Sequence, residues 1–160
     1  MRQAVHSSRQ KNGSLCVAAK RGRTETVAEL LKAGADVDTD DGFALRWASR
    51  NGKRKKVELL LSYGASVGVF NNYPLRYACK NGHPKVASLL LDKGADPLAL
   101  DAWAVTWAAR RWRSGVLREV FGELEQALSV AQANSGYYLA ECVSADDVTR
   151  PLSEARLRRS

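Results

Sequence analysis

A chain of 160 residues with a net charge of +8 and an isoelectric point near 9.7 fits one domain, or one compact array with a tail. Its basic balance favours acidic partners, namely nucleic acid, anionic lipid or acidic protein surfaces. Three widely spaced cysteines (Cys16, Cys79 and Cys142), with no Cys-x-x-Cys pair, argue against a disulfide framework, and no apolar run reaches membrane-spanning length.

Residues 1–12 carry charges with no apolar segment behind them, so no secretory signal is expected there. They are expected to form a disordered segment or a partial cap. A phrase then repeats every thirty residues: "LRWASRNGKRKKVELLLSYGAS" at 45–66 returns as "LRYACKNGHPKVASLLLDKGAD" at 75–96. The same shift aligns Gly22, Gly52 and Gly82, and likewise Gly34, Gly64 and Gly94. It also aligns Leu15, Leu45, Leu75 and Val105, and Ala18, Ala48, Ala78 and Ala108. Agreement in so many columns marks a stacked array, in which no copy buries its apolar face alone. The copies fall at 13–42, 43–72 and 73–102, with a fourth at 103–121 that fades.

Each copy reads as two short helices. In the second copy the first helix is predicted over 43–50, and Asn51-Gly52 supplies the left-handed stop that only Gly or Asn takes cheaply. The second helix is predicted over 53–62, with Val57, Leu60 and Leu61 at helical spacing and Gly64 ending it. Asp41, Asn71 and Asp101 are the expected N-caps, and Pro74 fits a first turn. In the fourth copy Trp112 and Glu119 break the columns, and 114–131 reads as one longer amphipathic helix closing the stack. Residues 122–136 are assigned to the continuation of this capping helix and 137–160 to a C-terminal tail. At the other end Val27, Leu30 and Leu31 need cover, either from residues 1–12 or from further repeats in front.

These residues carry a family resemblance. "NGHPKVASLLLDKGADP" resembles the second half of an ankyrin repeat, and "YPLRYA" resembles its Thr-Pro-Leu-His-x-Ala opening. The resemblance covers about residues 13–121 and implies an all-α, ankyrin-type solenoid of about four helix-turn-helix repeats with a C-terminal capping helix. Two features depart from the family pattern. The Thr position holds Gly13, Phe43, Tyr73 and Trp103, and the His position holds Cys16, Arg46, Arg76 and Thr106. The period is thirty where ankyrin repeats run to about 33, so the family's hairpin finger is expected to shrink to a tight loop. Short repeats of this kind are similar to those of large amoebal viruses and some protists or fungi.

Variable columns of such an array face partners. The column before the first Gly turn reads Lys20, Arg50, Lys80 and Arg110, with Arg21 and Arg111 beside two of its members. Arg46 and Arg76 lie one turn earlier, on the same helix face as Arg50 and Lys80. The resemblance implies that these helix ends line a concave surface. Helices about 8–10 Å apart then create basic rows, matched by an extended segment with an acidic group about every third residue. A second column is aromatic: Phe43, Tyr73 and Trp103, followed one turn later by Trp47, Tyr77 and Trp107. It reads chiefly as packing between repeats, and alternatively as a stacking surface for bases. "GKRKK" at 52–56 resembles a basic nuclear-import tetrapeptide. His83 matches the family's Gly-His pattern and reads as structural.

No phosphate-cradling Gly-rich loop, spaced His/Cys metal set or activated nucleophile is visible. The chain is therefore expected to be a non-enzymatic, cytoplasmic or nuclear, monomeric interaction module with no cofactor and no metal. The partner is expected to be an acidic protein segment; the alternatives are nucleic acid or an anionic surface on the same face, or a pure spacer within a longer array.

Overall fold

The computed structural model describes residues 2–111. Seven helices follow in order: α1 (Arg2–Arg21), α2 (Thr24–Lys32), α3 (Thr39–Arg50), α4 (Arg54–Ser62), α5 (Val69–Lys80), α6 (Pro84–Asp92) and α7 (Ala99–Arg111). The helices α1, α3, α5 and α7 pack side by side in chain order, and α2, α4 and α6 each pack on the helix that precedes them. This is the all-α solenoid that the thirty-residue period predicts. The closing helix expected at 114–131, its continuation to 136 and the tail lie outside the described residues.

The aligned columns form the core. Leu15, Leu45, Leu75 and Val105 are fully buried, as are Val27, Val57, Leu60 and Leu90. Ala18, Ala48, Ala78 and Ala108 are buried between them, and their small size lets neighbouring helices approach closely. Burying one Leu contributes about 1.5–3 kcal/mol, and the stack repeats that gain at each interface.

Each first helix closes in the same way. The amides of Arg23, Lys53 and His83 donate to the carbonyls of Ala18, Ala48 and Ala78, at 3.1, 2.9 and 2.9 Å. This wrap needs a left-handed residue just before it, supplied by Gly22, Gly52 and Gly82. At Gly52 the requirement is double, because a Cβ would also stand 2.6 Å from Nδ1 of His83.

Two local expectations are corrected. Residues 2–12 run as helix continuous with the first repeat rather than as a disordered segment. Lys11 and Asn12 reach the end of α2, where Lys11 Nζ donates to the Ala33 carbonyl and Asn12 Oδ1 accepts from the Asp36 amide. Val27 and Leu31 are already buried. Asp41 and Asn71 are not N-caps: they sit at φ 53° and 55°, inside three-residue left-handed turns made of Asp40-Asp41-Gly42 and Phe70-Asn71-Asn72. No side-chain cap hydrogen bond forms at the start of α3 or α5. Asp101 has no described side chain. The left-handed turn is what the shortened finger becomes. A straight helix cannot reverse the chain in so few residues, and Asp, Asn and Gly adopt this conformation most readily.

Candidate partner-binding face

The predicted cations and aromatics form one structure. Each cation at the end of a first helix leans over a ring of the next repeat, always twenty-seven positions ahead: Lys20 over Trp47, Arg50 over Tyr77 and Lys80 over Trp107, at 5.9, 5.7 and 4.9 Å from the ring centroids. One turn earlier Arg46 lies over Tyr73 and Arg76 over Trp103, at 5.5 and 5.3 Å. The rings also meet one another. Tyr73 and Tyr77 stack at 4.0 Å, Tyr77 meets Trp103 at 5.8 Å, and Trp103 meets Trp107 at 5.6 Å. Periodic stacking of identical helices makes this register inevitable: a residue at the end of one helix leans onto the middle of its neighbour.

The predicted residues separate into two kinds. Lys20 and Arg50 are exposed, and Lys80 is half-buried. Arg50 and Lys80 share the Tyr77 ring at 5.7 and 5.6 Å, so their charges lie at most about 11 Å apart. Among the described residues the one ion pair is Arg54–Glu58, so this cation row is held by rings and not by carboxylates. Arg46 and Arg76 are half-buried instead. Their Nη2 atoms donate to the carbonyls of Asp40 and Phe70, six residues back, at 2.9 and 3.2 Å. Each thereby closes the left-handed turn that begins its own helix, and its Nε is buried without a partner. The substitution of Arg for the family's His is a different way to hold the turn.

Arg21 is exposed but faces elsewhere, lining an open cavity of about 380 Å³ with Arg9, Val17 and Arg23. Arg110 and Arg111 lie in the last turn of α7, and their side chains are outside the described set. The row begins at Lys20, because the first copy has Gly13 and Val17 where later copies carry rings.

The basic run at 52–56 is not uniformly exposed. Lys56 is only 3% exposed, and its Nζ donates to the Ala19 carbonyl at 3.0 Å, closing the end of α1 from the next repeat. Burial, reinforced by the charge of Lys53, pulls its pKa below the ordinary lysine value. His83 serves the next interface. Its Nε2 lies 3.2 Å from the Arg50 carbonyl, which also accepts from Asn81 Nδ2 at 2.7 Å. The thirty-residue shift places Lys56 in the column of buried Val86, and its neighbour Lys55 in that of exposed Lys85. A signal for the loop latches was available: Asn12 and Asn72 each stand twenty-four residues before the Asp whose amide they accept.

Cys79 is buried, which pushes its thiol far up, and Cys16 is raised by burial and then by Asp40. No described group of His, Cys, Asp or Glu is arranged to hold a metal ion, and no described helix is long and apolar enough to cross a membrane. A family model described as ankyrin repeats, in three copies, matches residues 15–101. Comparison with curated protein sequences returns no match.

Proposed function

Because the chain belongs to the ankyrin-repeat family, we propose that it is a non-enzymatic module that binds an acidic segment of a partner protein along the row Lys20, Arg50 and Lys80, continued by Arg110. Ankyrin repeats are generally protein–protein interaction modules, so the finer question is what this surface selects. The observation that carries the reading is the ring-held cation row, none of whose members forms an ion pair among the described residues. Aromatic supports fix the direction of flexible cationic side chains, which lowers the entropy lost when a carboxylate arrives. Raised thiol pKa values at Cys16 and Cys79 keep both sulfurs protonated near neutral pH, which supports a binding role over nucleophilic chemistry. Free thiols at both positions suit a reducing compartment, the cytoplasm or nucleus. We take the chain to act as a monomer without cofactor.

Nucleic acid on the same face is the second reading. The stacking of Tyr73 on Tyr77, with cations over the outer rings, supports the protein reading, because it occupies ring faces that bases would need. The test uses a fluorescent extended peptide with Glu at every third position. Wild type is expected to bind it, and Arg50→Glu/Lys80→Glu to lose at least about tenfold with unchanged helicity, since each reversed contact costs more than 1 kcal/mol. Equal binding by the two proteins would remove the row from the site. A labelled oligonucleotide held more tightly than the peptide, with affinity falling steeply in salt, would favour the second reading. Binding of neither probe would leave a spacer role.

A further inference from the structure

The left-handed turns do not carry the same chemistry in each copy. The position that opens the turn holds Asp40, then Phe70, then Leu100, at φ 54°, 53° and 51°. Asp tolerates this backbone, whereas a bulky apolar side chain there is a genuine outlier. Both apolar members are also solvent-facing: Phe70 is 57% and Leu100 49% exposed, with Leu98 beside the latter at 40%. Two local costs, strain and exposed apolar surface, fall on the same two residues, and Asp40 in the first copy shows that the turn needs neither. Strain retained at an exposed position points to use.

Phe70 also adjoins an arginine that closes the preceding turn. The Arg46 guanidinium lies 4.9 Å from its ring centroid, and Tyr73 meets it edge-on at 6.5 Å. Phe70 and Leu100 hold the same position in neighbouring repeats.

We infer that the partner segment is not acidic alone: it carries one aliphatic or aromatic side chain that packs on the exposed surface of Phe70 and Leu100 while its carboxylates follow the basic row. This rests on the acidic-segment reading above. A second copy of the chain is a poor occupant, because it brings the same net charge of +8 to a surface already flanked by Arg46 and Arg76. An acidic partner gains from that charge.

The experiment compares two probes on the full chain: the Glu-every-third peptide with Ala between, and a set in which a single Leu replaces one Ala in turn. In wild type one Leu position is expected to tighten binding by about 10- to 100-fold, the worth of burying one such side chain. Phe70→Asn/Leu100→Asn, which relieves the strain and should melt no lower than wild type, is expected to lose that preference and still bind the all-Ala peptide. Arg50→Glu/Lys80→Glu is expected to weaken both. Equal affinity of wild type for all peptides, or a Leu preference that survives in the Asn variant, overturns the inference and leaves the acidic-segment reading standing. Failure of wild type to bind even the all-Ala peptide removes both. A wild-type dimer in sedimentation that the Asn variant abolishes assigns the pair to self-association and overturns the inference.

Discussion

Lys56 shows how one residue changes meaning between chain and fold. In the sequence it belongs to a run of four cations; in the structure it is the one that closes a neighbouring helix, donating to Ala19. An ammonium group held away from water retains its proton less well, so the folded chain releases it at a lower pH than the unfolded chain does. Between those two pH values the unfolded state binds more protons, and stability therefore rises with pH. The prediction follows directly. As pH is raised towards 10.5, the ordinary lysine value, urea unfolding should show wild type gaining on Lys56→Met, by no more than about 1.4 kcal/mol per pH unit. A stability gap that stays constant with pH would place the group in water. Met preserves the buried stem, so the comparison isolates the charge.

Among the elements, the connection between repeats departs most from expectation. Three fewer residues than the family's usual repeat leave no room for a hairpin, and the chain reverses through a left-handed turn closed by an arginine. Arg46 and Arg76 were predicted as ligand-binding residues, yet each spends one donor on the turn and lays its guanidinium over rings of its own and the next repeat. Arg46→Ala is expected to cost about 1.5–3 kcal/mol, the range for a hydrogen bond to a charged group. Arg46→Lys should recover less than half of this, because an ammonium cannot reproduce the planar fork. Thermal unfolding checks both. If the Lys variant matches wild type, charge alone suffices and the directed bond is unimportant.

At the scale of the whole molecule, the stack turns a sequence interval into a spatial neighbour relation. Cations and rings twenty-seven residues apart touch because repeats thirty residues long lie side by side. Tyr77 is the node, with Arg50, Lys80, Tyr73 and Trp103 all against its ring. A double-mutant cycle of Arg50→Ala and Tyr77→Leu should therefore show a coupling of about 0.5–1 kcal/mol. Strict additivity for Arg50 and Tyr77 would mean that their proximity is incidental, and the row would lose its fixed direction. The same neighbour relation limits damage: each repeat leans only on those beside it, so a lost contact weakens one interface first.

The period, the helix pairs, the glycine stops and the buried leucine columns follow from the amino-acid order alone. Backbone preference and side-chain size are local properties, and repetition multiplies them into an unmistakable pattern. His83 was legible too, through its place in that pattern. What only the packed structure decided is the partner that each inward polar side chain meets. Lys56 and Lys55 are adjacent and chemically identical, and they part company because one helix face meets Ala19 and the other meets water. The division of the basic residues into cations held over rings and a pair that closes turns, and the strained apolar tips at Phe70 and Leu100, arise in the same way. Each depends on where a neighbouring repeat lies, and that position is set by the sum of all the contacts, not by any single residue.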